Sequence, residues 1–165
     1  MKPTGKVTDK LIFTAIYLVV AFLVVWGSGR LVNYAVDFGF YRDFLMPWEM
    51  RLLEMRHRSV RWPAFKKGHP VAYMRAVVEV MKSNGMQLPM SNTDHPFIYR
   101  LYRFGGDATK ILLVLHDNKL MIYGLPGPTY KRLDRFVDGR IDSGRGDFTG
   151  QLSRDQITMI GSWRL

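Results

Sequence analysis

The chain has 165 residues, the size of one ordinary domain rather than two. Apolar residues make up 47% and charged residues 23%, which excludes an intrinsically disordered chain. Lys and Arg number 24 against 14 Asp and Glu, a formal net charge of +10. Cysteine is absent, which excludes disulfide frameworks, thiolate metal sites and thiol nucleophiles.

Residues 1–10 carry Lys2, Lys6 and Lys10 against Asp9 and read as a polar N-terminal tail. Leu11 to Trp26 (LIFTAIYLVVAFLVVW) holds no charge, and Thr14 is the only residue outside the hydrophobic set. A bilayer core needs about 20 apolar helical residues, with a lower limit of roughly 17. Gly27, Ser28 and Gly29 bring the uncharged run to 11–29. The block is apolar on every side, with Leu11, Phe13, Tyr17 and Phe22 as lipid-facing anchors and Trp26 where an interfacial belt residue belongs. This favours a single transmembrane anchor. A cleaved signal peptide would use the small residues after Trp26, but the apolar run is long for one and bulky Trp26 adjoins the cut. A buried core helix would need more surrounding chain than is present. A prepilin-type signal lacks its acidic residue, because Lys10 stands there.

Flanking charge sets the orientation. The tail is basic, whereas residues 27–50 hold Arg30 and Arg42 against Asp37, Asp43 and Glu49. The positive-inside rule then keeps the N-terminus in the cytoplasm and exports the rest.

Residues 30–68 form a juxtamembrane region. Arg30, Asn33 and Asp37 fall on one helical face, and Leu31, Tyr34, Phe38, Tyr41 and Leu45 form an apolar stripe on another. That stripe is expected to lie on headgroups or to pack on the soluble part. Pro47 ends this amphipathic helix or starts a short one to Arg56. Segment 51–67 holds six basic residues and one acid. Arg51, Arg56, Arg58, Arg61, Trp62, Lys66 and Lys67 are the candidate contacts to an acidic partner protein or to anionic lipid. Nucleic acid is disfavoured as a partner if this side is exported.

Residues 69–165 read as a small α+β domain. Pro70 to Asn84 is a helix with Val71, Met74, Val77, Val78 and Met81 inward, stopped by Gly85. Strands are expected at 97–104, 110–116 and 119–123, with turns at Gly105-Gly106 and Asp117-Asn118. A short helix follows at 129–137, then a Gly- and Asp-rich loop at 138–151 and a last strand at 157–165. The expected fold class is therefore α+β. A single transmembrane helix extends into an amphipathic helix and then a three- to four-stranded, mainly antiparallel sheet packed by one or two helices, with helix 70–84 on one face.

No catalytic constellation emerges. His57, His69, His95 and His116 lack metal-ligand spacing and no HExxH is present. Asp94-His95 and His116-Asp117 are sequence neighbours, which in a strand point to opposite faces. No GxSxG elbow exists, and the glycines of 139–150 carry no phosphate-loop Lys-Ser/Thr. No cofactor, metal or enzymatic activity is expected. In layout alone the chain resembles the single-pass subunits of bacterial envelope machines. The expected function is a non-enzymatic subunit or accessory protein of a cell-envelope complex. It sits in the inner membrane and binds other subunits, copies of itself among them, through the exported domain. The alternatives are a membrane-anchored regulator or inhibitor of the immunity or exclusion type, or an anchored enzyme acting on an envelope substrate.

Overall fold

A computed structural model of the chain describes residues 4–65 and 68–165, with side chains from Asp9 onward. Helix α1 runs from Thr4 to Phe40, a π-helical turn covers Tyr41–Leu45, and α2 continues from Met46 to His57. Together they make one helical rod of roughly 80 Å at the usual rise per residue. Pro47 neither ends the helix nor starts a separate one. It lacks an N–H and its ring crowds the carbonyl four residues back. The π turn absorbs this, with the Met46 N–H donating to the Tyr41 carbonyl five residues away.

The rod changes character along its length. Every residue from Asp9 to Trp26 is exposed, so the apolar block takes no part in the domain core. Among the described residues, one helix, at the N-terminus, is long and apolar enough to cross a membrane. Further along, Phe40, Phe44, Trp48, Leu52 and Met55 are fully buried. These side chains recur at three- and four-residue spacing, which puts them on one face. The core therefore runs through the juxtamembrane region into the α+β part, and residues 30–68 and 69–165 share it.

The remaining elements are α3 (Pro70–Ser83), β1 (Ile98–Leu101), β2 (Thr109–His116), β3 (Lys119–Pro126), α4 (Gly127–Asp138), β4 (Phe148–Leu152) and β5 (Thr158–Arg164). The sheet has five strands, not three or four, in the order β1-β2-β3-β5-β4, all antiparallel. The additional strand, β4, lies where a loop over 138–151 is expected from sequence. Its run FTGQL has one fully buried side chain, Phe148, and a central glycine, so it carries no alternating apolar signal. Pairing with β5 makes it a strand. β5 is thereby internal and β4 is the sheet edge. Two of the outward N–H groups of β4 are taken: Phe148 donates to Asp138 Oδ2 at 3.0 Å and Gly150 to the Ser143 carbonyl at 3.1 Å. The preceding loop thus covers the first part of this edge, which otherwise invites strand addition.

Register assigns the two faces. Leu120 pairs with Trp163 and Ile122 with Gly161, all buried toward the helices. Phe40 and Phe44 pack on Tyr99 with ring centroids 5.0 and 4.8 Å apart, and Tyr41 stacks on Trp163 at 5.9 Å. The helix on the sheet face is therefore the continuation of the apolar helix α1, joined by α4, whose Tyr130 stacks on Phe148 at 5.3 Å. α3, expected on that face, lies instead against the part of β2 that β1 does not reach. There the Leu115 N–H meets Met74 Sδ at 3.4 Å. Of its expected stripe Met74, Val77, Val78 and Met81 are buried and Val71 is half-buried, and Tyr73 joins them. β3 bends at Gly124, where φ is +83° and a Cβ would stand 2.7 Å from the Lys110 carbonyl oxygen, so only glycine fits.

Candidate functional site

The junction between the exposed helix and the domain is the most strongly built polar feature of the molecule. Asp37 is completely buried on α1. Thr129 Oγ1, in the first turn of α4, donates to Asp37 Oδ1 at 2.9 Å, and Arg132 Nη1, one turn on, donates to Asp37 Oδ2. Arg103, from the β1–β2 connection, donates from Nη1 to Thr129 Oγ1 at 2.9 Å and places Nη2 3.6 Å from Asp37 Oδ2. One carboxylate thus ties three segments distant in sequence. A turn earlier, Asn33 makes a two-way bond with Phe104. The Phe104 N–H donates to Asn33 Oδ1 at 2.7 Å and Asn33 Nδ2 donates to the Phe104 carbonyl at 3.3 Å.

The polar face of the juxtamembrane helix is therefore the docked one at Asn33 and Asp37, while Arg30 stays exposed. The apolar stripe divides. Leu31 is exposed, Leu45 is buried, and Tyr34, Phe38 and Tyr41 surround Phe136 of α4 at 5.5–5.6 Å. Burying a charge is favourable only with partners of opposite sign, so the first residues to dock are the ones with ligands waiting for them.

The basic segment is less free than its composition suggests. Arg51 and Arg58 both bind Glu54, at 2.8 and 2.6 Å, and hold its carboxyl below the usual range. Arg56 donates to the carbonyl of Leu165 at 3.0 Å, and Trp62 packs on the core. Arg61 is exposed, and Lys66 and Lys67 lie outside the described residues. At the helical rise, Arg51 stands roughly 40 Å along the rod from Trp26.

The second candidate surface is the sheet face opposite the helices. Between β3, β5 and β4 it stays open as a shallow depression of about 330 Å3, lined by His116, Lys119, Met121, Thr149, Ile160 and Ser162 among others. Polar and apolar groups alternate there without a convergent set. His116 Nε2 lies 3.3 Å from Asp117 Oδ2 at the turn, both exposed, and its ring packs on Phe65 at 4.6 Å. Among the described residues no group of three or more His, Asp or Glu could hold a metal ion.

One more polar pair stands out. The Tyr130 hydroxyl and Asp134 Oδ1 are buried on α4 without hydrogen-bond partners, while Asp134 Oδ2 accepts the Asp142 N–H at 2.7 Å. Burial, with Asp138 and Asp142 nearby, pushes the Asp134 carboxyl up, partly offset by the Asp142 N–H and Arg140. Burial, with the same three carboxylates around it, pushes the Tyr130 hydroxyl to about 12. A carboxyl raised on folding stabilises the fold fully below its unfolded pKa, and that contribution is lost as pH rises through the folded value. Asp134→Asn is therefore expected to be more stable than wild type at neutral pH. The gain should be on the order of 1 kcal/mol, the scale of one unsatisfied buried polar atom. The difference should vanish in acid. Urea unfolding of both proteins across the acid-to-neutral range checks it, and a parallel pair of stability curves would contradict it.

No family model, curated protein or solved structure matches this chain. Its geometry is therefore the only guide to its role.

Proposed function

We propose that the protein is a single-pass membrane protein of the cytoplasmic membrane, with its N-terminus in the cytoplasm and its α+β domain outside. In this reading it is a non-enzymatic subunit or accessory protein of a cell-envelope complex. The observation that carries the proposal is the unbroken rod: the exposed apolar helix continues directly into the side chains that form the domain core. A domain built on its own anchor cannot swing on a tether. The Asp37 and Asn33 contacts fix its rotation as well. Such a domain presents its surfaces at a set height and angle, which suits a part in an assembly better than the free search of a tethered enzyme. The open sheet face around Met121 and Ile160 is the partner surface. Exposed Arg61, just beyond the end of the rod and far from the bilayer, is a second contact for protein rather than lipid. The basic tail and the acidic balance of 27–50 support the orientation.

Reporter fusions after Leu165, active on one side of the membrane only, test the topology. A photo-crosslinking residue at Met121, against a control at exposed Glu79, tests the surface. A specific adduct from Met121 alone, surviving purification in mild detergent, is expected. A cytoplasmic C-terminus, or a monomer that crosslinks to nothing from either position, would sink the proposal. A one-to-one adduct in place of a larger assembly would point to a regulator.

A further inference from the structure

The β1–β2 connection does something that the anchor and the partner surface leave unexplained. It reaches back along the rod to the end of the apolar block. Phe104 lays its ring against α1 at Gly29, where a Cβ would come within 2.8 Å of it, so the close approach depends on glycine. Gly29 is three residues beyond Trp26, about 4.5 Å along the helix. The headgroup layer on each side of a bilayer is about 5–7 Å thick. With Trp26 in the aromatic belt, Phe104 stands inside that layer. Phe104 and Tyr102 are nevertheless both 58% exposed, an unusual state for two aromatic rings beside a polar hairpin in water. Aromatic side chains with one wet and one apolar side are what the interface favours.

Between the hairpin and the helix lies a cleft of about 370 Å3. Its membrane end is Phe22 and Val25, its wall is Trp26 and the Phe104 ring, and its far end is Arg30 and Asn33. The Arg30 guanidinium sits 3.8 Å over the Trp26 ring, turned toward the bilayer as helical side chains are. Arg100 and Lys110 are exposed on the two strands of the hairpin, against Asp107 at its tip. The cleft is thus apolar where acyl chains would be and cationic where a phosphate would be.

We infer that this cleft is a phospholipid site: one lipid of the anchor's own leaflet lies along Phe22 and Val25 with its phosphate on Arg30, and the Tyr102–Phe104 hairpin rests in the headgroup layer as a second membrane contact. The inference rests on the reading of α1 as a membrane span. Anionic lipid then meets the domain at the hairpin, beside the anchor, and not at segment 51–67.

The native chain has no cysteine, so single-cysteine variants of the full chain carry one fluorophore each. Leu18→Cys reports the span, Tyr102→Cys the hairpin, and Lys119→Cys the opposite end of the sheet. Each is placed in phosphatidylcholine vesicles containing one-fifth phosphatidylglycerol and lipids brominated at shallow or deep positions. Quenching of the Leu18 probe by deep bromines and of the Tyr102 probe by shallow ones, with the Lys119 probe unquenched, is expected. A quenched Leu18 probe with a Tyr102 probe as unquenched as that at Lys119 overturns the inference and leaves the anchor standing. An unquenched Leu18 probe overturns the anchor, and the inference with it. For the bound lipid, native mass spectrometry of protein extracted from the same vesicles should show one retained phospholipid, lost in Arg30→Gln. Arg30 is exposed, so that variant keeps its fold. Equal retention in both proteins, or none in wild type, would overturn the site.

Discussion

Asp37→Ala is expected to destabilise the full chain by about 3–5 kcal/mol, the usual cost of removing one partner from a buried ion pair. The loss does not measure the attraction itself. Asp37 is completely buried, and the side chains of Arg103 and Arg132 that face it are only 14% and 25% exposed. Without the carboxylate, two guanidinium groups stay largely out of water with no counter-charge, and the Thr129 hydroxyl loses its acceptor. Asp37→Asn keeps an acceptor for Thr129 and loses the charge, so it should fall between the two. For a chain of this size each kcal/mol corresponds to roughly 2–4 °C, so the alanine variant should melt about 10 °C lower in detergent micelles. A shift within 2 °C, taken as about 1 kcal/mol, would mean that water or a rearranged Arg103 fills the place of the carboxylate.

A comparable effect comes from pure packing at the other end of the same helix. Trp48 is fully buried and its indole N–H donates to the Pro96 carbonyl at 2.9 Å, pinning the loop before β1 to α2. Trp48→Ala should cost about 3–5 kcal/mol through the cavity and the lost transfer energy. Trp48→Phe keeps most of the ring and leaves the Pro96 carbonyl unpaired, for about 1–2 kcal/mol. Urea denaturation followed by circular dichroism separates the two. Equal losses would mean that the hydrogen bond, not the ring, holds this corner. Because Asp37 and Trp48 lie three turns apart on one rod with no shared partner, their effects should add.

Several elements were open to reading from residue patterns because each rests on local chemistry. The apolar run 11–26 needs no partner to be recognised, since its length and its lack of charge mark it by themselves. Helix α3 announces itself by Pro70 at its start, Gly85 after its end and five inward residues at helical spacing. Strands β2 and β3 are apolar runs joined by Asp117-Asn118, both with positive φ, as a tight hairpin requires. β4 was not legible, because an edge strand with one buried side chain has no period of its own.

The candidate sites were less legible than the fold. Asp37, Thr129, Arg132 and Arg103 span almost one hundred positions, and nothing local to any of them signals the others. The one available hint is a lone carboxylate on a helix face just beyond an apolar block, which must either stay wet or find cations. Segment 51–67 looked like a free basic patch, yet Arg51, Arg56 and Arg58 are engaged by Glu54 and the Leu165 carbonyl. Charge counts do not reveal pairing.

Sequence alone determined the class of the protein: one apolar helix, a basic tail before it, an α+β domain after it, and no cysteine chemistry. These follow from composition and from periods of two and 3.6, which act over a few residues. Only the tertiary structure decided that the apolar helix runs on past Pro47 into the core as one rod, and that its polar face is the one that docks. It also decided that Phe104 returns to α1 at Gly29, and that the sheet has a fifth strand at its edge. Each of these depends on which distant groups meet. A buried carboxylate, an edge strand and an interfacial ring are stable only through partners that the chain supplies from elsewhere.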